Sequence, residues 1–170
     1  MTRLFDLLGH VSQFLARATM VLLGILVLLV TADVVVRTAG LRPLTWAAST
    51  AEYILLYAAF LPMPALVRGK GHVFVEFMRQ PMPPMLRRAC EKAVYVVCLA
   101  ICAYLGWVAA AHLVSALKTG AYETRTYDMP QWAVYGPMAV GFWLSTLEWL
   151  RFLVGADSLY EIDPLKMDGF

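Results

Sequence analysis

Residues Ala18 to Ala32 read ATMVLLGILVLLVTA, a run without a single charge and with only threonine hydroxyls to interrupt it. With its flanks the run extends from about Phe14 to Val36. That is enough to cross a hydrocarbon core of roughly 30 Å, for which about 20 mostly apolar residues are needed. Three further stretches qualify, at about Ala47 to Val67, Ala93 to Leu117 and Pro130 to Val154. Of the 170 residues 61% are hydrophobic and 15% charged, more apolar surface than a soluble domain of this size can bury. The sequence therefore predicts an all-α integral membrane protein, a single four-helix membrane domain over residues 1–170, with no room for a large extramembrane catalytic unit and no internal repeat. A secretory signal is the competing reading of the first run. Asp33 and Arg37 follow it and no small-residue cleavage site stands out, which favours a retained span. Ahead of it, Leu4, Leu7, Leu8, Val11 and Leu15 fall on one side of a helix and Asp6, His10, Gln13 and Arg17 on the other. This predicts an amphipathic lead-in along the interface or, equally, a helix that extends the first span.

Charge placement sets the orientation. Ten of the fourteen Lys and Arg residues fall in the N-terminus, the central loop and the C-terminus, and only Arg37, Arg42, Lys118 and Arg125 fall on the opposite side. Cytoplasmic loops carry the cationic excess, so both termini and the basic central loop are expected in the cytoplasm. Trp46 and Trp132 would mark the outer starts of spans two and four, and Trp149 and Phe152 an inner end, the depth that amphipathic rings prefer. In the central loop Phe74, Phe77 and Met78 share a helical face, Pro81 to Pro84 stop the chain, and a basic helix starts at Met85. Six cations between Arg68 and Lys92 would attract anionic lipid by about 1 kcal/mol each, and the alternative use of the loop is protein docking.

Pro62, Pro64 and Pro137 lack an N–H and free the carbonyls of Ala58, Phe60 and Ala133, which neighbours must satisfy in lipid. Ala58, Ala59, Gly136 and Gly141 on the same elements would admit a second helix, from this chain or from a partner.

Ionisable residues within spans are functional candidates. Asp33 stands four residues from Arg37 and Glu148 three from Arg151, spacings that predict local, snorkelling ion pairs near helix ends. His112 lies near the outer end of span three, where an imidazole bonded to nearby backbone is the ordinary expectation. Glu52 differs, because Ala48, Ser49, Leu55 and Leu56 surround it at helical spacing. It lies about 9 Å into the span past Trp46 and calls for a cation from elsewhere, Arg37 or Arg42 in this chain or a residue of another subunit. These groups form no continuous polar path across the membrane, which argues against conduction by this chain alone.

Two enzyme-like alternatives fail on placement. A haem-bearing four-helix anchor needs paired histidines at matching depth, and His72 and His112 fall on opposite sides of the bilayer. A thiol oxidoreductase needs paired cysteines at the outer surface, whereas Cys90 is cytoplasmic and Cys98 and Cys102 lie four apart inside span three as packing residues. No phosphate loop, metal-ligand cluster or nucleophile with a base appears, so no catalytic site, metal, cofactor or nucleic-acid partner is expected.

Three segments in order resemble a known family: LTWAASTAEYILLYAAF (Leu44 to Phe60), RGKGHVFVEF (Arg68 to Phe77) followed by PMPPMLRR, and MPQWAVYGPMAVG (Met129 to Gly141). Together with the four spans and the length, they resemble the small membrane subunit (Q-type small permease) of tripartite ATP-independent periplasmic (TRAP) transporters. The resemblance implies a non-catalytic scaffold subunit in a bacterial inner membrane. It would bind a large multi-span permease that holds the substrate site and couples uptake to an ion, while a periplasmic solute-binding protein delivers an organic acid. Positions matching the family motifs are Trp46, Arg68, Gly71 and His72, with Pro130, Tyr135 and Gly141 in the third segment, and their implied role is structural and interfacial. Many members carry acidic residues just after the Trp, where this chain has Ala47, Ala48 and Ser49 with Glu52 a turn later. The alternative from a different class is a self-contained homo-oligomeric four-helix channel or exporter.

Overall fold

The structure is a computed structural model and describes residues 2–42, 44–69, 83–123 and 128–154. Among the described residues there are five helices: α1 (Thr2–Thr38), α2 (Thr45–Phe60), α3 (Met63–Arg68), α4 (Pro84–Thr119) and α5 (Gln131–Leu153). Between the last two, β1 (Tyr122–Glu123) and β2 (Met129–Pro130) pair antiparallel, Tyr122 opposite Pro130. Phe5–Thr38, Thr45–Arg68 and Ala89–Thr119 are long and apolar enough to cross a membrane, and α5 is less apolar. The expected surface helix through Phe74, Phe77 and Met78 lies outside the described residues, as do Gly71 and His72.

The amphipathic lead-in is no separate element. α1 runs unbroken from Thr2, its polar residues Asp6, His10, Gln13 and Arg17 exposed while Leu8, Gly9 and Ser12 turn inward and are buried. Span two breaks where its prolines dictate: α2 stops at Phe60, and α3 restarts with Pro64 in its first turn, where a missing N–H costs nothing. α4 starts at Pro84, one residue before the basic helix start expected at Met85, and runs without a break into the span expected from Ala93, because Pro83 is held extended (ψ 149°) before Pro84, whose fixed φ suits a first helical position. Its other end closes on Gly120, whose φ of 59° sets the left-handed cap and whose N–H bonds the Ala116 carbonyl. Thirty-six residues give α4 a length of about 54 Å, well beyond a hydrocarbon core of roughly 30 Å.

α4 and α5 make the most extensive helix contact. Tyr95, Cys102, Ala109 and Ala116, spaced by seven, are buried along α4 and give it a coiled-coil type of seam. Gly106 lets the pair close up, since a Cβ there would stand 3.3 Å from that of Phe142. Tyr95 meets Trp149 and Phe152 near one end of the pair and His112 stacks on Tyr135 near the other, so the two helices run antiparallel. Trp149 and Phe152 are only 4% and 2% exposed. They are therefore not the interfacial anchors that their position near a helix end suggests, but the centre of a core with Val67, Tyr95 and Cys102, because α3 and α4 both cover that end of α5. α5 also packs on α2 and α3, which in turn carry α1 at the edge. α1 leaves nearly all of its apolar length uncovered.

Candidate functional site

Three helices converge on one carboxylate. Glu148, near the end of α5, is fully buried, and its Oε1 accepts from Arg68 Nη1 at 3.2 Å. Arg68 is the last residue of α3, and the same nitrogen donates to the Phe5 carbonyl of α1 at 2.8 Å. Arg151, one turn beyond Glu148, brings its Nε to 3.2 Å from Oε2 and lays its guanidinium 5.0 Å from the Phe152 ring centre. Gly9 makes the arrangement possible, because a Cβ on it would land inside the Arg68 guanidinium. A carboxylate removed from water is costly unless charged donors surround it, and here one cation comes from its own helix and one from another. The expected local Glu148–Arg151 pair is present, but it does not snorkel. The convergence of α1, α3 and α5 takes it into the protein and adds a second cation from 80 residues away.

Asp33 and Arg37 pair as their spacing predicts, at 2.7 Å, with the arginine largely exposed. The other oxygen of Asp33 accepts the Leu44 N–H at 3.0 Å, so the same carboxylate holds the start of α2 against the end of α1.

The carbonyl that Pro137 frees on Ala133 finds its donor in Tyr57, whose hydroxyl bonds it at 2.9 Å from α2. The carbonyl that Pro64 frees on Phe60 points at Gly141, where an added Cβ would collide with it, and the Phe60 and Phe142 rings meet alongside at 5.5 Å. Tyr57 to Ala133, Phe60 to Gly141 and Arg68 to Glu148 form an ascending series, so α2–α3 and α5 run parallel. By contrast, a Cβ on Gly136 would meet nothing within 4 Å.

The motif positions thus scatter over the molecule. Trp46 is half-exposed in the first turn of α2 and Glu52 is exposed nearly two turns further on. Arg37, one of the cations offered to Glu52 by the sequence, is engaged by Asp33. Pro130 ends β2 and caps α5, Tyr135 stacks on His112 at 5.2 Å, and Gly141 receives the Phe60 carbonyl. Of the described motif positions, Arg68 alone joins the charged clasp. Sequence reasoning missed Gly9, Phe5 and Tyr57, and it gave Glu148 only its local partner. Their signals were a glycine on the inward side of an amphipathic helix and a tyrosine on the same element as two prolines. Among the described residues, no group of three or more His, Cys, Asp or Glu is placed to hold a metal ion.

Residues 26–158 match the family described as tripartite ATP-independent periplasmic transporters, DctQ component. That family is one of transporter components and not of enzymes. No curated protein matches the chain.

Proposed function

The chain belongs to the DctQ component family of tripartite ATP-independent periplasmic transporters, and from that premise we propose that it is a non-catalytic scaffold subunit of an organic-acid importer. It binds a large multi-span permease, which carries the substrate site and the ion coupling, and a periplasmic solute-binding protein supplies the solute. The chain lies in a bacterial inner membrane as one four-helix unit, with both termini and the central loop cytoplasmic, as the distribution of Lys and Arg supports. α5 is the fourth span: its 23 residues extend about 34 Å. It reads as less apolar because Ser145, Thr146 and Glu148 face protein rather than lipid.

The observation that carries the reading is the family match over most of the chain, and the internal contacts fit it. Arg68, Tyr135 and Gly141 are spent on holding the helices together, with Pro130 setting the start of α5, and Gly71 and His72 belong to the same cytoplasmic motif as Arg68. Trp46 and Glu52 are exposed on α2, and the reading assigns them to the contact with the permease. Co-expression with the large permease tests the proposal. The two should co-purify in mild detergent, and deletion of this chain should abolish uptake. Glu52→Ala should lower recovery of the complex and leave substrate preference unchanged, whereas unchanged recovery with altered preference would place Glu52 in a different role. Solute flux through the chain alone in liposomes would instead identify a self-contained channel.

A further inference from the structure

The outward faces of α1 and α4 are made of different residues. α1 presents Met20, Val21 and Leu28, 64–72% exposed, the flexible and branched side chains that suit acyl chains. Opposite its buried seam, α4 presents Ala100, Tyr104, Trp107, Ala111, Ser115 and Lys118, all exposed and sharing one stripe at helical spacing. Tyr104 and Trp107 are 69% and 68% exposed and fall between Lys92 and Lys118. By helical rise each stands about 16–23 Å from either charge, which is the middle of a hydrocarbon layer roughly 30 Å thick. Tyr and Trp favour the two membrane surfaces, where water meets the hydroxyl and the indole N–H. At mid-depth those hydrogens must find protein acceptors, and among the described residues nothing accepts from either side chain. Ala100 and Ala111, one turn to either side, leave room for a second helix to approach. Lys118 adds a positive charge at the end of the same stripe.

We propose that this face of α4 docks a membrane-spanning helix of the large permease subunit, one that sets hydrogen-bond acceptors opposite Tyr104 and Trp107 and a carboxylate opposite Lys118. The assignment rests on the small-subunit function proposed above and names the surface that performs it. Two exposed aromatic side chains with polar hydrogens are the type of anchor that concentrates binding energy at helix contacts.

The test uses the full chain co-expressed with a large permease subunit of the same transporter family. The photoreactive amino acid p-benzoylphenylalanine replaces Tyr104, Ala111 or, on the α1 face, Leu28, and the complex is irradiated after purification in mild detergent. Positions 104 and 111 should cross-link to the permease and position 28 should not. Tyr104→Phe combined with Trp107→Leu should lower the permease recovered by about three- to tenfold, with the variant alone still monodisperse. A complex that forms but cross-links through position 28 and not through 104 and 111 overturns the face and leaves the subunit role standing. Cross-links from position 104 to a second copy of this chain overturn it as well. If the unsubstituted chain captures no permease, the subunit role and the docking face both fall.

Discussion

Replacing Glu148 by Gln keeps the shape of the side chain and removes the one negative charge between Arg68 and Arg151. In the native protein each guanidinium stands 3.2 Å from a different oxygen of a carboxylate with no exposure at all. Removing one member of such a buried set leaves like charges facing each other, at a cost of about 3–5 kcal/mol. The glutamine carbonyl can still accept from Arg68, which places Glu148→Gln near the lower limit, about 3 kcal/mol. Arg68→Met should cost less, about 2 kcal/mol, because Arg151 remains beside the carboxylate and Arg68 is already 23% exposed, so water screens part of what is lost. The double variant should be less unstable than the two costs added together, by about 1–3 kcal/mol, since the second change relieves the charge stranded by the first. Unfolding in dodecyl maltoside by titration with SDS measures all three. Trp149, 4% exposed and in contact with Phe152, reports opening of that end by its fluorescence in a background where the other four tryptophans are replaced by Phe. A Glu148→Gln variant within about 0.5 kcal/mol of the native protein, or strictly additive costs, would refute the clasp as a coupled unit.

Tyr57→Phe should cost about 1–2 kcal/mol by orphaning the Ala133 carbonyl, and Pro137→Ala should remove most of that penalty by restoring the intrahelical donor, a coupling that a double-mutant unfolding cycle reads directly. Gly141→Ala should destabilise by about 1–3 kcal/mol as its methyl meets the Phe60 carbonyl, while Gly136→Ala, with open space around it, should be neutral or stabilising. Melting temperatures of the two glycine variants in one detergent should therefore move apart, and equal shifts would contradict the packing of α2 on α5.

What the sequence revealed was whatever one helix can report about itself. Apolar runs located the helices, prolines named the carbonyls that would need donors, and spacings of three and four paired Asp33 with Arg37 and Glu148 with Arg151. Contacts across the chain stayed out of reach. Nothing near Ala133 points to Tyr57, 76 residues earlier, and nothing near Glu148 points to Arg68. A satisfactory local partner for Glu148 also hid its burial, because an exposed pair and a buried triad have the same spacing. Trp149 was misjudged for a related reason: a tryptophan near a helix end suits both an interface and a core, and only the overhang of α4 beyond the expected span decides between them.

The clasp also fixes an order of events during synthesis. Phe5 and Gly9 leave the ribosome first, Arg68 follows, and Glu148 and Arg151 emerge together only when the last helix is nearly complete. Until then Arg68 has the Phe5 carbonyl as an acceptor but not the Glu148 carboxylate. Closure around Glu148 therefore has to wait for α5, because the carboxylate that neutralises Arg68 lies 80 residues further along the chain.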